Sequence, residues 1–125
     1  MISKDITVVG SIALDSLETP KGARPLILGG SAMYFSLSAS LFSSVEVVGV
    51  VGTDFPKEGW EIFKSHNINY NNVEIKNGKT FSWGGRYNND YSKRDTLFTN
   101  LGVFENYTPE INQPIDTDYL YALMN

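Results

Sequence analysis

Val45-Glu46-Val47-Val48-Gly49-Val50-Val51-Gly52, followed at once by Thr53-Asp54-Phe55-Pro56, decides the fold class. The valine run is a strong strand signal, and the four residues after it open a helix. Asp54 can cap that helix and Pro56 can occupy one of its early positions, with Trp60 and Phe63 as core anchors and an end near His66-Asn67. Working outward, Ile6-Thr7-Val8-Val9-Gly10 is a second β-branched run, and its near-continuous hydrophobicity suggests a strand covered on both faces, as in a parallel sheet. Between the two runs, Ala32, Phe35, Ala39 and Phe42 recur at helical spacing, widened by Leu37 and Leu41. This helix starts just after Gly29-Gly30, with Ser31 as its candidate N-cap. Strand, helix, strand, helix predicts an α/β fold with right-handed crossovers.

Composition narrows the function. The 125 residues, 42% hydrophobic, suit one domain with a core. The absence of cysteine removes disulfide scaffolds, zinc ribbons, iron–sulfur clusters and thiol catalysis. One histidine, His66, argues against a histidine-rich metal site or a serine triad and reads as structural near its helix end. The net charge of −4 argues against a broad basic surface for nucleic acid. Pro25 to Val45 carries no charge, but its six serines and glycine pair fit a buried segment better than a membrane helix. With no leader-like start, the expectation is a cytoplasmic protein.

Beyond the second helix the pattern turns antiparallel. Asn77-Gly78 lies between Val73–Lys76 and Lys79–Ser82 and predicts a hairpin. Alternation continues through Phe81, Trp83 and Tyr87, Asn88-Asn89-Asp90 is turn-like, and Thr96–Thr99 returns as a strand. Ser11 to Arg24 reads as less regular, with Asp15, Pro20 and Gly22 as turn residues, before the short apolar run Leu26-Ile27-Leu28. Tyr119–Met124 reads as a further core strand, and the chain stops at Asn125 with no helix to cover it, the mark of an unfinished fold.

In an open α/β sheet, ligands bind beyond the carboxyl ends of the strands. Ser11–Asp15, Gly29-Gly30-Ser31 and Gly52-Thr53-Asp54 all fall there and converge on one edge. Asp15, in the apolar setting of Ile12-Ala13-Leu14, suits a polyol, because an ionised carboxylate only accepts hydrogen bonds. Gly29-Gly30 lets a ligand approach the backbone and the free N–H groups of a helix start. Gly49 and Gly52 read as turn glycines and Asp54 as a cap. Phe81, Trp83 and Tyr87 either pack a small sheet or face a bound ring, and Arg86 either meets a ligand or stays solvated. No phosphate loop of the G-x-x-x-x-G-K-[ST] type, no G-x-G-x-x-G after the first strand and no G-x-S-x-G elbow is present, which disfavours a dinucleotide-binding domain.

Val8-Val9-Gly10-Ser11-Ile12-Ala13-Leu14-Asp15, Leu28-Gly29-Gly30-Ser31-Ala32 and Val48-Gly49-Val50-Val51-Gly52-Thr53-Asp54 together resemble the N-terminal half of a PfkB-family (ribokinase-like) carbohydrate kinase. The resemblance implies a Rossmann-like three-layer sheet, incomplete here, with an inserted antiparallel β lid. It divides the chain into a core part over 1–68, a lid over 69–104 and a return to the core sheet over 105–125. It implies an enzyme that phosphorylates a hydroxymethyl group of a sugar, nucleoside or related polyol with ATP and Mg2+. Asp15 resembles the residue that holds acceptor hydroxyls, Gly29 and Gly30 the pair lining the acceptor pocket, and Asn125 a polar substrate contact. Phe81 and Trp83 lie in the lid-like segment, which also implies a possible homodimer.

Two departures stand out. Tyr34 replaces an asparagine, which questions ribose or fructose as acceptor and leaves room for a nucleoside or an inositol-like ring. The second family signature, with the catalytic aspartate, has no counterpart, so no catalytic residue and no metal ligand is assigned here. The chain alone is expected to be inactive, with ATP and Mg2+ held by the missing half. The competing expectation is a non-catalytic binding or dimerisation module of the same ancestry.

Overall fold

A computed structural model describes residues 5–123. In chain order it contains β1 (Ile6–Val9), β2 (Ala13–Thr19), β3 (Gly22–Gly29), α1 (Ser31–Ala39), β4 (Val45–Gly52), α2 (Lys57–Ser65), β5 (Ile68–Lys76), β6 (Ser82–Tyr87), β7 (Arg94–Asn100), a 3-10 turn at Gly102–Phe104, and β8 (Tyr119–Ala122). The strands form two four-stranded sheets, ordered β5-β4-β1-β8 and β3-β2-β6-β7. The first is parallel throughout. In the second, β2 runs parallel to β6, while β3 and β7 flank them antiparallel. The expected α/β class is what the chain adopts.

Hydrophobic burial explains the first sheet. Every residue of β4 is buried, and Val8, Val47 and Val51 join Ile12, Met33 and Phe63 in one core cluster. On α2 the two expected anchors hold: Phe63 is fully buried, and Trp60 packs edge-on to Phe55 at 4.9 Å and against Tyr70 at 5.3 Å. A polar pair is also built into this sheet. Buried Asn72 of β5 donates to the Glu46 carboxylate of β4 at 2.7 Å. Its own carbonyl oxygen accepts the Asn112 and Gln113 N–H groups at 2.7 and 2.8 Å, which ties the segment before β8 to the sheet. Burial pushes the Glu46 carboxyl above its ordinary range. β8 takes its place beside β1, but its side chains are exposed; Tyr121 makes a ring contact with Phe35 at 4.8 Å.

Four expectations differ from the structure. Asn77-Gly78 does not close a hairpin: β5 pairs in parallel with β4, and β6 pairs with β2 in the other sheet. A two-residue type I′ turn needs positive φ at both central residues, and only Gly78 has it, at 143°. The pair instead carries the chain from one sheet to the other, with the Gly78 carbonyl accepting the Thr53 N–H at 3.1 Å. Ser11 to Arg24, read as irregular, contains β2 and the start of β3, an antiparallel hairpin turning at Pro20-Lys21. α1 ends at Ala39, three residues before Phe42, because the Ser40 hydroxyl caps the Leu37 carbonyl at 2.7 Å and a turn succeeds it. Leu41 and Phe42 are therefore exposed and do not extend the helix stripe. Finally, Ile68–Lys76 belongs to the first sheet, so the second sheet recruits β2 and β3 from the first thirty residues.

Candidate functional site

The site grows from the place where the chain leaves the first sheet. β1 ends at Val9, and Gly10-Ser11-Ile12 carries the backbone directly into β2, whose third residue is Asp15. Strand register sets Asp15 opposite Ile27 of β3 and Trp83 of β6. Beside it, a side chain at Gly29 would fall on the Asp15 carboxylate, so the missing Cβ is the space the carboxylate uses. Among the described residues no hydrogen bond or ion pair reaches that carboxylate. It is half-buried, and desolvation raises its pKa above the ordinary 3.8. A carboxylate in that state has unused acceptor capacity and gains when a hydroxyl donor arrives.

Gly30 makes the turn into α1 with φ of 95°, and a Cβ there would run into the Ser11 carbonyl. The start of α1 is arranged differently from expectation. Gly30, and not Ser31, stands at the N-cap, with no side-chain cap bond. The Ser31 N–H donates to the Ser11 hydroxyl at 3.0 Å and the Ala32 N–H to the Ser11 carbonyl at 2.9 Å. The Ser11 N–H in turn donates to the Ser31 hydroxyl at 3.3 Å. The first two N–H groups of the helix are thus spent on Ser11. Their work is to fix the geometry that holds Gly29 against Asp15.

Tyr34 stands one turn later, its N–H on the Gly30 carbonyl at 3.1 Å and its side chain 56% exposed. Its hydroxyl pKa is raised by partial burial, and then by the charges of Asp15 and Tyr87. Trp83 lies over Gly85, where a Cβ would strike the indole. Its Nε1–H donates to the Thr96 hydroxyl at 3.3 Å, and the Arg94 guanidinium sits 4.9 Å from its ring centre. The fold thus brings Asp15, Gly29 and Trp83 together, with Gly30 and Tyr34 at the start of α1 next to Gly29. Phe81 is placed otherwise: its ring stacks on Phe104 at 5.3 Å, while its carbonyl accepts the Leu14 N–H at 2.9 Å. Asn125 lies outside the described residues. Arg86 is engaged with Glu18 across the β2–β6 pair at 2.8 Å. The His66 ring nitrogen Nδ1 lies 2.9 Å from the Ile62 carbonyl at the end of α2.

Asp54 is not the cap of α2; Pro56 holds that position. The Asp54 carboxylate instead accepts the N–H and hydroxyl of buried Thr80 at 2.8 and 2.7 Å. Thr80 Oγ1 accepts the Gly52 N–H at 2.9 Å. This clasp binds the end of β4 to the chain entering β6, and nothing in the local sequence around Thr80 announces it. An opening of about 720 Å³ borders Leu14, Asp54, Thr80 and Glu105 on the face of β2 opposite Asp15, and of its two carboxylates Asp54 is already bonded to Thr80. Among the described residues no group of three or more His, Cys, Asp or Glu could hold a metal ion. The Asp15 carboxylate, without a hydrogen-bond partner among the described residues, has acceptor capacity that a hydroxyl donor could fill.

Comparison with known proteins agrees with this architecture. The chain superimposes on ribokinase from Cryptococcus neoformans var. grubii serotype A in complex with ADP with a TM-score of 0.75 at 18% identity, covering 98% of this chain and 41% of that one. The fold is the ribokinase type. The nucleoside kinase of Methanocaldococcus jannaschii, an archaeal member of the ribokinase family, matches equally well, with a TM-score of 0.75 at 24% identity over 95% of this chain and 44% of that one. In sequence, the chain is 37% identical over 89 residues to cytidine kinase from Thermococcus kodakarensis, covering 70% of this chain and 32% of that protein. The chain spans about a third of the length of this curated relative. No protein-family model matches the sequence. Among the described residues no helix is long and apolar enough to cross a membrane.

Proposed function

We propose that this ribokinase-type chain binds the alcohol acceptor of an ATP-dependent kinase that phosphorylates a hydroxymethyl group of a sugar, nucleoside or related polyol. The observation that carries this reading is the Asp15 carboxylate: half-buried, free of partners among the described residues, and fitted into the space left by Gly29. Charge-assisted hydrogen bonds from two ligand hydroxyls would satisfy it, and donors of that kind are what a polyol supplies. The kinase names of the sequence and structural relatives support the same reading.

In this reading the second sheet is the lid. β6 and β7 hold Trp83 over the acceptor, and closure excludes water from the reacting hydroxyl. A homodimer through the lid and a cytoplasmic location belong to the same proposal. The general base, ATP and Mg2+ are assigned to residues other than those of this chain, because its own carboxylates are either dispersed or engaged. ATP supplies the phosphoryl group when bound; this chain's residues hold and orient the acceptor and keep water away. The chain alone is therefore expected to bind acceptor and not to transfer phosphate.

The test is a pair of measurements on the 125-residue chain. Calorimetric titration with D-ribose, myo-inositol, cytidine and adenosine should detect binding of at least one, and incubation of that ligand with ATP and magnesium should give no phosphorylated product. Failure of all four to bind would overturn the acceptor assignment, and turnover by the chain would overturn the assignment of the base to other residues.

A further inference from the structure

The chain crosses from the first sheet to the second through Asn77-Gly78, which lies between β5 and β6 outside any helix or strand. Three stretches of backbone meet there. The Gly78 carbonyl accepts the Thr53 N–H at 3.1 Å, just past the end of β4, and the Lys79 carbonyl accepts the Val103 N–H of the 3-10 turn at 2.9 Å. Glycines permit the approach: a Cβ at Gly52 would strike the Gly78 carbonyl, and one at Gly102 would strike the Lys79 carbonyl. Thr80 follows, buried and held by the Asp54 carboxylate. From Gly78 onward the crossing is therefore pinned.

The residue just before it is open to reaction. Asn77 is exposed, and among the described residues neither its side chain nor the Gly78 N–H makes a hydrogen bond. Glycine has no Cβ to obstruct the approach of its own nitrogen to the preceding asparagine side chain, and this is the one Asn-Gly pair in the sequence. The deprotonated Gly78 nitrogen bonds to Asn77 Cγ, ammonia leaves, and a succinimide ring closes. Water then opens the ring. Addition at Cγ gives aspartate; addition at the Asn77 main-chain carbonyl breaks its bond to the Gly78 nitrogen and gives isoaspartate, whose main chain runs through Cβ and Cγ. The balance is an amide and a water converted to a carboxylate and ammonium.

We propose that Asn77 is a site of spontaneous deamidation, and that the isoaspartate formed there loosens the link between the two sheets. The added main-chain carbon enters immediately before Gly78, whose carbonyl is held by Thr53 and backed by Gly52. Lengthening the chain at that point moves Gly78 and Thr80 off the partners that fix them. The new charge by itself is tolerated, because residue 77 is exposed and flanked by the exposed Lys76 and Lys79. The damage therefore follows the main chain and not the carboxylate. Asn88 and Asn89, in the exposed turn between β6 and β7, supply the contrast. Each is followed by a residue with a Cβ, and the Asn88 side chain is bonded to the Ser92 hydroxyl and the Lys93 N–H at 3.1 Å each.

The test ages the 125-residue chain in mildly alkaline buffer beside Asn77→Ser and Asn77→Asp. Peptide mass spectrometry reads deamidation at each asparagine, labelling by an isoaspartyl-directed carboxyl methyltransferase reads isoaspartate, and urea melts read stability. Asn77 should convert several times faster than Asn88 or Asn89, and the urea midpoint of the wild type should fall as isoaspartate accumulates. Asn77→Ser should keep its midpoint through ageing, and fresh Asn77→Asp should melt with fresh wild type. Conversion of Asn77 no faster than that of Asn88 and Asn89 would overturn the site. A wild-type midpoint unmoved by ageing, an equal fall in Asn77→Ser, or the same loss already present in fresh Asn77→Asp would overturn the loosening by main-chain insertion.

Discussion

Replacing Asp15 by asparagine should move ligand affinity and folding stability in opposite directions. The carboxylate is half-buried, has no partner among the described residues, and has its pKa raised by desolvation. A folded-state value above the unfolded 3.8 means that the native protein holds this proton more tightly than the unfolded chain does. The group therefore lowers stability at neutral pH, and that penalty is relieved as pH falls through the raised value towards 3.8. Asparagine, which carries no charge, removes the penalty, so Asp15→Asn should unfold at the same or higher urea concentration than wild type at neutral pH. Acceptor binding should respond the other way. A hydrogen bond to a charged group is worth about 1.5–3 kcal/mol, so its loss weakens binding about 10- to 150-fold. Wild-type affinity should also decline on acidification, beginning at a pH above the ordinary carboxylate range, whereas the variant's weak affinity should not change there. Isothermal titration with the tightest-binding acceptor and urea melts monitored by circular dichroism measure both quantities. A variant that is destabilised and binds normally would refute the reasoning, because Asp15 would then be a structural carboxylate.

Four further substitutions probe the framework around it. Gly29→Ala places a methyl group on the Asp15 carboxylate; it should cost about 1–3 kcal/mol of stability by overpacking and weaken acceptor binding, as read by urea melts and titration. Thr80→Val removes both hydroxyl bonds of the Asp54 clasp and leaves the buried Gly52 N–H unpaired. Chemical denaturation should register a loss of about 1–3 kcal/mol, with Asp54→Asn milder because its amide oxygen still accepts. Phe63→Ala empties the fully buried centre of the α2 packing and should cost about 3–5 kcal/mol by the same assay.

Legibility in the sequence depends on which forces act locally. β1, β4 and α2 could be read because continuous valines and the Trp60–Phe63 spacing report burial residue by residue. β2 and β3 were obscured because Asp15, Glu18, Lys21 and Arg24 interrupt the apolar pattern, and their partners lie across the hairpin and on β6, some seventy residues away. Asn77-Gly78 carries a turn preference, but partner choice is settled by β4, whose buried edge pairs with β5 along most of its length. In the site, Asp15 and the glycine pair were legible as residue types at a strand end, while the reason for Gly29 was not. That reason is the volume of a side chain fourteen positions earlier, which only the strand register brings alongside. The Ser11–Ser31 and Asp54–Thr80 bonds were invisible for the same cause, since serine and threonine give no signal until the fold supplies their partners.

The shared space of Asp15 and Gly29 makes the two positions a single inherited unit. A side chain gained at 29 has to displace the Asp15 carboxylate from its present position, so the two positions vary together, with the one at 15 shrinking or turning aside. Drift in this part of the chain is therefore coupled: a change at 29 goes with a moved or smaller side chain at 15. Relatives that have lost the carboxylate should carry a bulkier residue at 29 together with a smaller one at 15, and two such changes should combine with far less damage than either predicts alone.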